Sequence, residues 1–226
     1  IVDQPACAGF ISRHLYNFFV ADEPQVPTWN EVAPQDPHLI DAMSEAFMNS
    51  GGDIKSVLRV MFNSNAFKDA RFKKVKSPIE LVAGILKMVG NFDDFRPGLS
   101  AYADSTTVVM GQKLLDPPSV EGWHTGKEWI DGGNLTERVN FAVSEIGDGE
   151  SPGVQRIIDR IIDSGSLVAP EDFVDSALDA MGPITVEDST SEALMKFARD
   201  SEGIDDRLRA VRIISLIVST PEYQFA

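Results

Sequence analysis

Cysteine is nearly absent: Cys7 is the only one in 226 residues. No intrachain disulfide can therefore form, and no cysteine-based zinc site can be assembled. Its neighbours Ala6, Ala8 and Phe10 predict a small thiol packed in an apolar setting rather than a nucleophile. Histidine is scarce too. His14, His38 and His124 lie far apart and none belongs to an i, i+4 pair, which excludes the helical zinc motif. The sequence contains no Gly-x-x-x-x-Gly-Lys loop, no Gly-x-Gly-x-x-Gly fingerprint and no Gly-x-Ser-x-Gly elbow. ATP-driven, dinucleotide-dependent and ordinary serine-hydrolase chemistry all lose ground, and no metal or cofactor is expected. No apolar run reaches the roughly 18 residues that would span a bilayer. Positive charge is also short, with 20 Lys and Arg against 35 Asp and Glu, a net charge of −15. Such a surface repels phosphate backbones and anionic lipid, so nucleic acid and acidic membranes are poor partners. Cations, basic proteins and neutral glycans remain compatible, and solubility alone also accounts for the acidity.

What is present is helical patterning. The chain is 43 % hydrophobic, enough for one large domain or two small ones. A first helix carries Phe10, Ile11, Leu15, Phe18 and Phe19 at helical spacing and is broken by Glu23-Pro24-Gln25-Val26-Pro27. His14 sits beside that stripe, and a partly buried imidazole is expected there. Asp36-Pro37 offers an N-cap and a first-turn proline for a helix with Leu39, Ile40, Met43 and Phe47 inside, stopped at Gly51-Gly52. His38 falls in its first turn, an exposed position. Asp53 caps the next helix, with Ile54, Val57, Leu58, Met61 and Phe62 inward and Lys55 and Arg59 outward.

Ser77-Pro78-Ile79-Glu80 reads as a capping box opening a helix that Gly90 ends. Asn134 with Glu137 repeats the capping logic. Ser151-Pro152 starts a helix with Ile157, Ile158, Ile161 and Ile162. Another, after Pro170, carries Phe173, Val174, Ala177 and Leu178, and the last carries Ile204, Leu208, Val211, Ile214, Ile217 and Val218. Pro183-Ile184-Thr185-Val186 is the one short strand candidate. Acidic pairs such as Asp93-Asp94 and Asp205-Asp206 lack calcium-loop spacing and suit helix starts. The expected fold is all-α, an irregular multi-helix globular bundle with one long ordered loop. A Gly/Asp-rich break at 147–151 suggests a helical subdomain 1–146 and a second, 151–226, packed on it, with a single domain 1–226 as the alternative.

The loop runs from Asp116 to Gly133 and is rich in proline, glycine and tryptophan. Loops of this length inside compact domains are uncommon and tend to be ordered by their own side chains or used for function. It gathers Trp123, Trp129, His124, Glu121, Lys127, Glu128 and Asp131. Exposed indoles stack on sugars or peptide side chains and carboxylates bond hydroxyls, so a glycan or peptide cleft is one reading. Inward-facing tryptophans that pin the loop to the helices are the other. Catalysis would draw on His124, Glu128 or Asp131 as acid–base groups. Glu121 with Glu128 would have to place two carboxyls about 5 to 9 Å apart to act as a glycosidase pair.

Several segments resemble one family. Met110-Gly111-Gln112 with Leu114, Asp116-Pro117-Pro118-Ser119-Val120, Gly122-Trp123, Gly126, Trp129-Ile130, Leu135, Arg138 and Asn140-Phe141 resemble the signature of DUF1800, a bacterial domain of unknown function. So do Gln4-Pro5, Leu15-Tyr16, Phe18-Phe19-Val20, Lys76-Ser77-Pro78-Ile79-Glu80-Leu81-Val82 and Ser219-Thr220-Pro221-Glu222-Tyr223-Gln224. The chain departs from the family's habit at His14, where lysine is common, and at Glu121, where a small residue is common. The resemblance implies a helical domain at the C-terminal part of a longer exported protein, periplasmic or cell-surface, often alongside a sulfatase-like companion. It carries no catalytic residues over. The chain opens at Ile1, without an initiator methionine, and reads as a piece of a longer polypeptide.

The function expected from these observations is a binding or assembly domain, contacting a glycan, a cell-envelope protein or the remainder of its own polypeptide. Trp123, Trp129, His124, Lys127 and Glu121 would form the contact. The alternative is a hydrolase acting on an extracellular polymer such as a polysaccharide.

Overall fold

The computed structural model describes residues 1–92, 96–123, 125–165, 169–182 and 184–226. Among them are eleven α-helices and no strand: α1 Pro5–Phe19, α2 Pro37–Asn49, α3 Ile54–Asn63, α4 Asn65–Lys68, α5 Pro78–Met88, α6 Leu99–Val109, α7 Gly132–Gly147, α8 Pro152–Asp163, α9 Pro170–Met181, α10 Asp188–Asp200 and α11 Asp206–Val218. The all-α expectation holds. Residues 184–186 form no strand; Pro183 and the Asp93-Asp94 pair lie outside the described residues. No described helix is long and apolar enough to cross a membrane.

The chain gathers into two compact units. The first is Ile1–Val75 with the described residues of 124–128 and Ala226; the second is Lys76–Trp123 with Trp129–Phe225.

In the first unit the caps form where the sequence places them. The Asp36 carboxylate accepts from Leu39 N at 2.9 Å, and Asp53 accepts from Lys55 N and Ser56 N. Gly51 and Gly52 both take positive φ where α2 ends, a conformation that side chains with a Cβ resist. Leu39, Ile40, Met43 and Phe47 are buried as expected, with Val57 and Met61 of α3; Lys55 and Arg59 face solvent. The face of α1 needs correction. Ala8, Ser12, Arg13 and Tyr16 are buried, Ile11 and Leu15 pack at the edge, and Phe10, Phe18 and Phe19 are exposed. The reason is an ion pair. Arg13 Nε donates to Glu23 Oε2 at 2.8 Å and Nη2 approaches the same oxygen at 2.6 Å. Nη1 donates to Trp29 O and Val32 O, while Glu23 Oε1 accepts from Gln35 N. Both ionic side chains are nearly inaccessible, so each needs the other. Together they order the proline-rich 23–35 segment and rotate α1 toward it. The displaced aromatics stack outside, Phe18 on Phe19 and Phe19 on Phe62.

In the second unit α11 is the central helix, packing against α7, α8, α9 and α10. Ala210, Ile213, Ile214, Ile217 and Val218 of α11 share a core with Leu81, Val82, Ile85 and Leu86 of α5, Phe141 and Ile146 of α7, Ile158 and Ile161 of α8 and Phe173, Val174 and Ala177 of α9. Each of the leucine, isoleucine, valine and phenylalanine side chains contributes about 2 kcal/mol by leaving water. Leu208 is exposed and Ile204 precedes the helix, so the last apolar stripe is narrower than its spacing suggests. The capping box at Ser77 and Glu80 is complete. At α7 the cap is Asp131, whose carboxylate accepts from Asn134 N at 3.2 Å. Asn134 is therefore the third residue of the helix rather than its cap, because the two glycines before it already adopt helical backbone.

Gly153 N donates to Val89 O at 3.1 Å, and a Cβ built on Gly153 would stand 1.8 Å from Met88 O and 2.7 Å from Val89 C. Alanine favours a free helix by about 1 kcal/mol over glycine, but backbone cannot yield here, so Gly153→Ala will destabilise by about 3 kcal/mol or more in urea titrations. For the buried pair of the first unit, Glu23→Leu strands the Arg13 charge and will cost about 3 to 5 kcal/mol, much of it recovered in Arg13→Met/Glu23→Leu.

Candidate functional site

The 116–133 loop divides between the two units. The turn that leads into it, 113–116, and the turn 119–122 lie in the second. Asp116 N donates to Lys113 O at 3.3 Å, and the Lys113 ammonium pairs with the Asp116 carboxylate at 2.6 Å. Leu115, between them, takes φ of 62°, a left-handed conformation that is strained for leucine. Its side chain is 96 % exposed. The next turn closes with Gly122 N donating to Ser119 O at 3.1 Å and Ser119 Oγ accepting from Glu121 N. Gly122 supplies the positive φ. Val120 stands at the apex, completely exposed, and Glu121 beside it is exposed as well.

The tryptophans behave as anchors. Trp129 is 5 % exposed, so no ring face remains for a sugar. Trp123 is half-buried and its indole N–H donates to Lys113 O at 3.1 Å, joining the two turns to each other. Asp131 is engaged at the α7 cap. Lys127 and Glu128 belong to the first unit and are exposed, and Glu128 Oε1 accepts from Gln25 Nε2 at 3.3 Å. Gly126 is buried there with positive φ, and a Cβ would meet the Asp22 side chain at 3.1 Å. His124 lies outside the described residues. Glu121 thus falls in the second unit and Glu128 in the first. Among the described residues no group of three His, Cys, Asp or Glu is placed to hold a metal.

His14 is partly buried, as its position predicts, edge-on to Phe10 at 4.3 Å and tilted on Trp29 at 4.6 Å. Burial lowers its pKa from the ordinary value. His38 is exposed.

A second polar centre lies inside the second unit, and sequence reasoning missed it. Arg138, on α7, is 0 % exposed. Its Nε donates to Gln224 Oε1 at 2.8 Å and its Nη2 to Lys76 O at 2.7 Å. Lys76 N donates to Gln224 O at 2.8 Å. The Lys76 ammonium donates to Tyr223 O at 2.8 Å and sits 4.3 Å above the Tyr223 ring. Nearby, Gln112 Oε1 accepts from Ile79 N at 2.9 Å, serving a first-turn amide of α5. Lys76, Ile79, Gln112, Arg138, Tyr223 and Gln224 come from four of the segments that carry the family resemblance. Nothing local in the sequence marks a buried charge there, since an arginine between Glu137 and Val139 reads as helix surface. Burial, and then Arg138 close by, push the Lys76 ammonium down to about 8, with Glu80 opposing; burial lowers Arg138 to about 10.

An all-helical protein with a buried basic centre and a tryptophan-anchored loop is the class that fold and site define. The chain belongs to the family described as Protein of unknown function (DUF1800), whose model matches residues 1–225. No curated protein and no solved structure matches the chain.

The Lys76 value sets a pH test. Folded Lys76 releases its proton at about 8, below the ordinary 10.5. Between these values the unfolded chain holds the extra proton, so this group makes stability rise with pH. Burial raises Tyr223, and Tyr102 is raised to about 12 by burial and its bond to Glu145; both oppose the trend above about pH 10. Urea titrations in low salt will show wild type gaining about 2 kcal/mol relative to Lys76→Met between pH 8 and 10. A constant difference between the two would contradict the assignment.

Proposed function

We propose that this chain is a non-catalytic binding or assembly domain of an exported protein, and that its partner is a protein held by the turns tipped with Leu115 and Val120. The observation that carries the reading is the pair of fully exposed aliphatic side chains, Leu115 and Val120, on two turns that the Trp123 indole ties together. Leaving them in water has a cost, and Leu115 adds a left-handed backbone; strain of this kind persists where it serves function. An aliphatic tip suits a hydrophobic pocket on a protein. A glycan would need an open aromatic face, which the buried Trp129 does not offer.

The test places a photoreactive benzophenone at position 115 or 120, with position 48 as an exposed apolar control, in extracts of the source organism. One discrete adduct specific to 115 and 120 is expected. The Leu115→Ser/Val120→Ser variant will lose at least tenfold in capture while its stability moves by less than about 0.5 kcal/mol. Identical adducts from position 48, or none from the loop, would overturn the reading.

A further inference from the structure

We propose that the centre formed by Arg138, Lys76 and Gln224 binds one small monovalent anion, of halide or formate size. Two buried donors there, Arg138 Nη1 and Gln224 Nε2, make no hydrogen bond among the described residues. Around them, Gln224 Oε1 and Lys76 O each accept from Arg138, and Tyr223 O accepts from the Lys76 ammonium. The bond from Arg138 Nε also fixes which way the Gln224 amide faces, since the flipped amide would set donor against donor. Buried donors without acceptors are rare in folded proteins and point to an ordered guest.

Charge selects the guest. Lys76 and Arg138 bring two positive charges close enough to repel each other. The carboxylate that acts on both is Glu80, which is exposed and has one oxygen on Ser77 N. Two cations at the buried centre thus share one carboxylate, and that one lies in solvent. The same chain shows the usual solution at Arg13, where Glu23 is buried alongside. A single monovalent anion supplies at Arg138 what Glu23 supplies at Arg13. Because Arg138 and Gln224 are both almost inaccessible, only a species small enough to be enclosed on folding reaches their donors.

The experiment measures Tm of the whole chain at constant ionic strength while sodium gluconate, too large to be enclosed, is exchanged for sodium chloride or bromide. Screening of the −15 net charge stays fixed through the exchange. A saturable rise on the order of 5 °C is expected in both halides, and it should vanish in Lys76→Met and in Arg138→Met. Because Arg138→Met removes two structural bonds and risks unfolding, crystals of wild type grown in bromide give a second readout, an anomalous peak in contact with Arg138 Nη1. A wild-type Tm that ignores the exchange would mean that water serves these donors. A rise that survives in Lys76→Met, or bromide found only at the surface, would overturn the proposal equally.

Discussion

A guanidinium sealed inside a helical unit is the constraint on which the second half of this chain depends. Arg138 reaches from α7 to the residue before the α5 cap and to the segment that follows α11. Those positions are 62 and 86 residues away in sequence, so one side chain closes long loops that backbone pairing alone would have to close. Lysine could not replace it. Nε and Nη2 form one planar edge that meets two acceptors at once, whereas an ammonium is a point charge on a flexible stem. Its desolvation is offset only while every donor is served, which makes the centre exacting.

The first unit uses the same device in a different form. Arg13 and Glu23 bury a matched pair, and their remaining donors and acceptors hold the proline-rich segment against α1. In both units, then, aliphatic stripes supply the bulk of the stabilisation, while a buried arginine decides which irregular segment lies where. The tryptophans act in the same spirit. Trp129 fills interior space and Trp123 ties Lys113 to its own turn, while the aliphatic side chains of Leu115 and Val120 stand fully exposed on the two turns.

Much of the helical plan was legible because its signals are local. Asp36, Asp53 and Ser77 cap as their spacing predicts, and Phe173, Val174 and Ala177 are buried as a stripe. What failed was long-range. The burial of Ser12 and Arg13 in place of Phe10 and Phe18 depends on Glu23 and the segment beyond it. Helix α6 opens at Gly98 without a side-chain cap and α10 is mostly polar, so neither announces itself by pattern. The loop was recognisable as unusual, yet which of its residues point out is set by turns at Leu115 and Gly122 rather than by hydrophobicity. The family resemblance marked Lys76, Gln112, Arg138 and Gln224 without a reason, and the reason is their convergence.

The most direct measurement is native-state hydrogen exchange on wild type, following the amides of Lys76, which bonds Gln224 O, of Ile79, which bonds the Gln112 side chain, and of Ala142 in the α7 core. If Arg138 fastens these segments into one cooperative body, all three amides open with a common free energy close to that of global unfolding. Rapid exchange at Lys76 and Ile79 beside a protected Ala142 would show that the segments open independently and that the buried guanidinium does not hold them.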